Sequence, residues 1–320
     1  MPRQLGVLMD PIAGIQIKKD STFAMLLAAQ QRGWSLQYFE IGDLLLRDGQ
    51  VFALSRDLRV WDDAHRWFEL NEPRWRPFTD FDLVLMRKDP PFNMEYIYAT
   101  YLLELAQAQG CWVINDPRTL RDANEKLAVT SFPDLTPPMI VTRQQLILRD
   151  FLREQGEIVV KPLDGMGGRS IFRVRHGDPN VGVIFETLTA HAQQFCMAQR
   201  FIPEICRGDK RILIVAGQPV AHLLARIPSA EDSRGNLAAG AIGEVRPLSD
   251  RDRHIAERVG ATLLQRGIWF AGLDVIGDWL TEINITSPTC IRELDRACGS
   301  DIAADLLVAL EQQLLKNTHA

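Results

Sequence analysis

Cysteine is scarce and unpatterned. The five residues Cys111, Cys196, Cys206, Cys290 and Cys298 make an odd count with no C-x-x-C pair, which points to a reducing cytoplasm rather than a disulfide framework. Long apolar runs are missing as well. No stretch approaches the roughly 20 residues of a membrane span. The start, Met1-Pro2-Arg3-Gln4-Leu5-Gly6, opens into a strand pattern with no apolar signal segment. The expectation is a soluble, intracellular chain with no membrane partner. Positive charge is not in excess: 36 Lys and Arg stand against 41 Asp and Glu, a net charge of −5. That argues against a nucleic-acid partner, so any anionic substrate must be met by a local basic patch. There is no G-x-x-x-x-G-K-[ST] loop, no Ser/His/Asp arrangement, and no pairing among the six histidines. Internal repeats and low-complexity tracts are absent.

What is present is ordinary globular material, 46% hydrophobic and 24% charged over 320 residues, enough for two or three packed units. Gln4–Met9, Leu36–Ile41, Phe81–Met86 and Cys111–Asn115 read as strands. Thr22–Arg32, capped by Asp20-Ser21 and ended by Gly33, and Met94–Gln109, ended by Gly110, read as helices. This alternation predicts a parallel, doubly wound α/β unit. Val51 to Pro77, with Trp61, Trp67 and Trp75, is read as an irregular excursion with its own small apolar cluster. The prolines of Pro133-Asp134-Leu135-Thr136-Pro137-Pro138 mark a hinge or loop. After it come a helix near Arg143–Gln155 and a strand Glu157–Lys161. Further strands are read at Ile171–Val174, Phe195–Phe201, Lys210–Val215, Pro219–Arg226, Trp269–Ile276 and Leu280–Ile285, with helices at Asp250–Arg266 and Ser300–Leu315.

Several groups carry chemistry. The loop Asp164-Gly165-Met166-Gly167-Gly168 lies between two strands, so it is a hairpin loop whose glycines let backbone N–H groups approach a phosphate. Lys161 ends the strand before it and can place an ammonium on that phosphate; a solvated lysine is the competing view. Lys126 is a second candidate of the same kind. Arg211 and Arg226 stand at the ends of apolar strands, where they could neutralise a transferring phosphoryl group or form ordinary salt bridges. Ile227–Val245 has small residues, three glycines and no periodicity, with Arg234 inside it; it is a lid or a plain flexible loop. Glu282 and Asn284 share one strand face while Ile283 and Ile285 point to the core. With Asp274 from the preceding strand they make a hard-oxygen set suited to Mg²⁺. A strict two-residue turn at Gly277-Asp278 puts Asp274 opposite Thr281, facing away from Glu282. A three-residue loop with a bulge shifts the pairing by one and brings Asp274 opposite Glu282; that loop is predicted, and a strict two-residue hairpin would remove Asp274 from the set. Cys290, beside that strand, is read as a buried small residue.

Taken together, Lys161 to Gly168, Met197-Ala198-Gln199-Arg200-Phe201-Ile202-Pro203, Gly208-Asp209-Lys210-Arg211, Arg234 to Gly240 and Leu280 to Thr289 resemble the ATP-grasp ligases, and within them the bacterial glutathione synthetases. Met9-Asp10-Pro11-Ile12 and Met86 to Phe92 match as well, so the resemblance spans nearly the whole chain. It implies an N-terminal substrate-side α/β domain over 1–122. A small ATP-grasp subdomain would follow over 123–194, then a C-terminal ATP-grasp subdomain over 195–320 with a lid loop at 227–245. The implied activity joins glycine to γ-glutamylcysteine while ATP is cleaved to ADP and phosphate, with Mg²⁺ or Mn²⁺ as cofactor. Lys126 and Lys161 are then phosphate and adenine-pocket ligands, Gln199 and the backbone near Ile202 meet adenine, and Asp209 meets the ribose. Asp274, Glu282 and Asn284 hold the metal; Arg211, Arg226 and Arg234 stabilise the phosphoryl group and the intermediate. Ser287, Arg292 and Arg87 are weaker substrate candidates. The resemblance also implies a homotetramer. A departure from it is Ala241-Ile242, where a more glycine-rich and basic lid end is expected. A ligase joining another amino acid or peptide pair, and a non-catalytic nucleotide-binding regulator, are the competing readings.

Overall fold

The structure is a computed structural model describing residues 2–165, 168–229 and 240–318. Its first sheet is built from β1 (Gln4–Met9), β2 (Ser35–Phe39), β3 (Leu44–Arg47), β4 (Gln50–Val60), β5 (Phe68–Leu70), β6 (Arg74–Pro77), β7 (Leu83–Arg87) and β8 (Trp112–Ile114), with helices α1 (Ser21–Gln31), α2 (Met94–Ala108) and α3 (Pro117–Asp122). The order is β3-β4-β2-β1-β7-β8, with β5 and β6 both paired to β4. The strands β2, β1, β7 and β8 are mutually parallel, as the alternation predicts, and Asp20 caps α1 by accepting from Phe23 N at 2.7 Å. The stretch from Val51 to Pro77 differs from its reading. It forms β4, β5 and β6, an antiparallel extension of the same sheet. It has no apolar cluster of its own: Val51 and Ala53 are buried in the main core and Trp75 is exposed. Apolar residues on both faces of β4, such as Phe52 and Leu54, hide its two-residue alternation.

The second sheet has four strands, β9 (Met139–Thr142), β10 (Glu157–Pro162), β11 (Phe172–Arg175) and β12 (Cys196–Arg200), flanked by α4 (Gln145–Gln155) and α5 (Val181–Leu188). Its order is β11-β10-β12-β9, all antiparallel. It owns a separate core, including Leu148, Phe151, Val160 and Phe185. The strand Cys196–Arg200 belongs here, beside β10, so the strand expected at Phe195–Phe201 falls in the small sheet rather than with the strands that follow it.

The third sheet contains β13 (Asp209–Val215), β14 (Gln218–Pro219), β15 (His222–Ile227), β16 (Ile242–Pro247), β17 (Phe270–Ile276) and β18 (Trp279–Asn284), with α6 (Asp250–Gln265), α7 (Ile291–Cys298) and α8 (Ile302–Thr318). The order is β16-β15-β13-β17-β18, with β14 on β13. The expected lid loop is shortened at its far end. Ile242 to Val245 lie in β16, paired residue by residue with β15, which also gives Ala241-Ile242 a strand-entry role. Residues 230–239, Arg234 among them, lie outside the described residues, as do Met166 and Gly167.

The first and third sheets share a core, for Leu8, Phe39 and Val84 cluster with Ile212, Leu273, Leu280 and Ile283. Each such side chain contributes ~1.5–3 kcal/mol of burial. Asn115, 3% exposed, sews the join. Its Nδ2 donates to Phe270 O at 2.8 Å and Ile285 O at 2.7 Å, and its Oδ1 accepts from Trp269 N and Phe270 N. All four bonds of the amide are used. Among the described residues no helix is long and apolar enough to cross a membrane.

Candidate active site

A cavity of about 410 Å³ lies between the second and third sheets, lined by residues of both, by Asp89 and Pro90, and by the run from Ser287 to Cys290. Its geometry starts from the hairpin β17–β18. The turn at Gly277-Asp278 is a tight two-residue one, since Ile276 pairs with Trp279 and Val275 with Leu280. The next pair is Asp274 with Glu282, so Thr281 is an extra residue, a bulge inside the strand rather than in the turn. Without it Glu282 would lie on the face of Leu280, in the core. With it, Leu280, Ile283 and Ile285 are all buried, and Glu282 and Asn284 line the cavity with Asp274. The predicted three-residue loop is not formed: the turn has two residues, yet Asp274 stays with Glu282 because the register shift lies inside the strand pair instead. Thr281 Oγ1 donates to Asp274 O at 3.0 Å, and Thr281 O accepts from Lys161 Nζ at 3.4 Å.

Four buried cations surround the two opposed carboxylates: Lys126, Lys161, Arg211 and Arg226 are each at most 7% exposed. Arg211 grips Asp274 in a two-pronged pair, Nε to Oδ1 at 2.6 Å and Nη2 to Oδ2 at 3.1 Å. Arg226 Nη2 reaches Asp274 Oδ1 at 2.9 Å and also pairs with Asp209. Burial opposes the charge on Asp274, but the two guanidiniums outweigh it and hold its carboxyl well below the usual range. Burial pushes Asp209 the other way, up to about 6, against the pull of Arg226. Lys126 Nζ lies 3.1 Å from Glu282 Oε1 and donates to Gly165 O, tying the glycine loop to β18. Asn124 holds the same loop through Leu163 O at 2.9 Å. Burial pulls the Lys161 ammonium below its ordinary value, opposed by Glu282. Its long bond to Thr281 O leaves donors to spare for an anion. Burial, then Glu282, raises the carboxyl of Glu125, which accepts from Thr286 Oγ1 at 2.7 Å.

Most of the expected site residues meet here. Gly165, Gly168, Gln199, Ile202, Asp209 and Ser287 line the cavity with those already named, while Asp164 lines a small adjoining recess with Asn124 and Leu163. Two buried polar atoms on lining residues, Gln199 Nε2 and Asp209 Oδ1, have no hydrogen-bond partner. Such orphans are costly unless a ligand meets them. Two expected residues stay away. Arg292 pairs with Asp62 at 2.7 Å, because it lies on the outer side of α7. Arg87 is buried under the Ser287–Cys290 run, donating to Pro288 O at 2.9 Å and Thr22 Oγ1 at 3.0 Å over the Phe270 ring. It supports the cavity wall without lining the cavity.

The donor set fits a hard divalent ion in part. Glu282 offers a carboxylate. Asn284, whose Nδ2 donates to Gly272 O and Asp274 Oδ2, keeps its amide oxygen out of those bonds. Asp274 can join only by giving up part of its guanidinium contacts. No group of three or more His, Cys, Asp or Glu forms a metal cluster among the described residues. Remaining positions would therefore fall to phosphate oxygens and water, the usual habit of Mg²⁺. Glu125, Asn124, Thr286 and Asp89 escaped the sequence reading, although Asn124 and Glu125 adjoin Lys126 in the same run.

Residues 4–121 match the N-terminal domain of prokaryotic glutathione synthetase, and residues 125–299 match its ATP-grasp domain. The glutathione synthetase of Pseudomonas syringae pv. tomato is 57% identical over 314 residues, covering 98% of both chains. That of Coxiella burnetii is 54% identical over 318 residues, covering 99% of both. Among solved structures, the D-cycloserine synthetase DcsG superposes with a TM-score of 0.66 at 15% identity, over 97% of this chain and 99% of that one. The ATP-grasp ligase PsnB with its minimal precursor, Mg and ADP gives 0.62 at 14% identity, over 97% and 98%. The structural likenesses establish an ATP-grasp fold, and the sequence matches go further: the chain belongs to the prokaryotic glutathione synthetase family.

Proposed function

We propose that this chain is the ATP-dependent ligase that joins glycine to γ-glutamylcysteine, giving glutathione, ADP and phosphate. The observation that carries the reading is the arrangement of Lys126, Lys161, Arg211 and Arg226 around Asp274 and Glu282 in one cavity. A carboxylate is a poor acyl donor, so ATP must first convert it to an acyl phosphate; glycine's amine then attacks and phosphate leaves. Neither step needs a nucleophilic side chain, and among the described residues the cavity's one thiol is not activated: burial raises the Cys290 thiol, against Arg211 and Arg226. Lys161 and the backbone at Gly165 and Gly168 hold the phosphates, while Gln199 and Asp209 hold the nucleoside. Arg211 and Arg226 are placed to spread the charge of the transferring phosphoryl group. A divalent ion, when bound at Glu282 and Asn284 with Asp274, supplies further charge neutralisation and orients the phosphates. Mg²⁺ or Mn²⁺ as the ion, a charge-stabilising role for Arg234, a cytoplasmic location and assembly as a homotetramer belong to the same proposal; light scattering tests the last. Product analysis with ATP, γ-glutamylcysteine and glycine tests the reaction. ADP release that does not depend on glycine and yields no tripeptide sinks it. Glu282→Gln abolishes ATP turnover; a wild-type rate in that variant removes the metal role.

A further inference from the structure

Among the described residues five carboxylates line the cavity: Asp89, Glu125, Asp209, Asp274 and Glu282. Three are bonded by cations, Asp209 by Arg226, Asp274 by Arg211 and Arg226, and Glu282 by Lys126. Among the described residues, the side-chain bonds of the other two come from hydroxyls alone. Ser287 Oγ donates to Asp89 Oδ1, and the neighbouring Thr286 Oγ1 donates to Glu125 Oε1. A hydroxyl orients a carboxylate without neutralising it. Behind the cavity wall, the Tyr96 hydroxyl, 1% exposed and without a hydrogen-bond partner among the described residues, is within electrostatic reach of both acids and of Arg87.

Asp89 is held in place. Its N–H donates to Asp10 Oδ2 at 2.8 Å, its carbonyl accepts from Lys88 Nζ at 2.7 Å, and Lys88 closes the loop with Asp10 Oδ1 at 2.8 Å. The Met9-Asp10-Pro11 and Arg87-Lys88-Asp89-Pro90 segments thus exist to fix one carboxylate at the cavity wall. From the part of the chain that forms the first sheet, only Asp89 and Pro90 are among the residues lining the cavity. Arg87 lies within electrostatic reach of Asp89, but among the described residues no cation bonds its carboxylate, so a pinned carboxylate at the wall of this cavity can receive one from a ligand.

We propose that Asp89, backed by Glu125, receives an ammonium group of the amino-acid substrate and is the specificity residue contributed by the N-terminal part of the chain. The inference rests on the ligase reading above. Two ammoniums share this chemistry, the α-ammonium of the γ-glutamyl donor and that of glycine, and one experiment separates them. Steady-state constants are measured for wild type, Asp89→Asn and Asp89→Ala with γ-glutamylcysteine, glycine, ATP and metal varied in turn, and with glutarylcysteine, which lacks the α-amino group. Loss of a charge-assisted hydrogen bond raises KM about ten- to hundredfold for one amino-acid substrate, with ATP and metal dependences unmoved. If the donor's α-ammonium is bound, wild type discriminates against glutarylcysteine and the variants do not. If glycine is bound, its KM rises and that discrimination persists. KM values for both amino-acid substrates within twofold of wild type, or a parallel rise in all constants including ATP, overturn the proposal. Absence of tripeptide with wild type sinks the ligase reading and the proposal with it, whereas tripeptide with unmoved constants sinks the proposal alone. Asp89 is exposed, so both variants keep the wild-type unfolding midpoint.

Discussion

Replacing Asp274 by Asn keeps the side chain's shape and removes one negative charge from between two buried guanidiniums. Arg226 retains Asp209 as a second partner, but Arg211 has no other ion pair among the described residues. The loss is therefore close to that of breaking one buried pair, about 3–5 kcal/mol, and not twice that. At roughly 2 °C per kcal/mol for a chain of this size, the unfolding midpoint falls by about 6–10 °C. Thermal unfolding at neutral pH and one scan rate, followed by tryptophan fluorescence, measures it. The double variant Asp274→Asn with Arg211→Met removes the orphaned charge too, so it recovers a large part of the loss although turnover stays absent. A single variant within about 2 °C of wild type would falsify this account of Asp274 as the buried partner of Arg211 and Arg226, since the expected loss is several kcal/mol. A double variant less stable than the single one would do the same.

Asn115→Ala strips four bonds from the joint between the first and third sheets and leaves Phe270 and Ile285 carbonyls unmet; stability drops by about 3 kcal/mol or more, and a denaturation midpoint equal to wild type contradicts that. At Gly260 an added Cβ would lie 2.4 Å from Gly217 O, so Gly260→Ala, which normally favours a helix, lowers the thermal midpoint here; a rise shows that α6 packs otherwise. Asp209 gives a pH test. Its folded pKa of about 6 lies above the unfolded value of about 4, so its stabilising contribution is full below the lower value and lost as pH rises through the upper one. Asp209→Asn lacks that loss, so its midpoint gains on wild type between about pH 4 and 6 and the gap then levels off; a gap independent of pH refutes the shifted carboxyl.

Much of the site was legible because the chemistry needs unusual residues in fixed places. Lysine at a strand end before a glycine hairpin, and an acid and an amide two apart on a strand, can be recognised without coordinates. The register shift was expected from a three-residue loop and comes instead from inside the strand, where the spacing marks it: Leu280, Ile283 and Ile285 are all core residues, and three-then-two spacing requires one extra residue at Thr281. Residues placed by reach were misjudged. Arg87 and Arg292 sit beside the right segments, but each is spent on a partner from a distant part of the chain, Pro288 in one case and Asp62 in the other. Glu125 and Asp89 carried no motif of their own, because their surroundings are assembled from separate sheets.

Local order came from the sequence by itself: the parallel βαβ alternation before residue 120, the hairpin nature of the glycine loop, and the oxygen-rich strand. Those follow from side-chain periodicity and turn chemistry, which act over a few residues. The tertiary structure decided which charges cancel. Asp274 is bonded by two arginines, Glu282 by Lys126, and the Asp89 carboxylate by a serine hydroxyl and no cation among the described residues, because electrostatic partners are chosen by distance in space and by the burial that strengthens them, and neither is written along the chain.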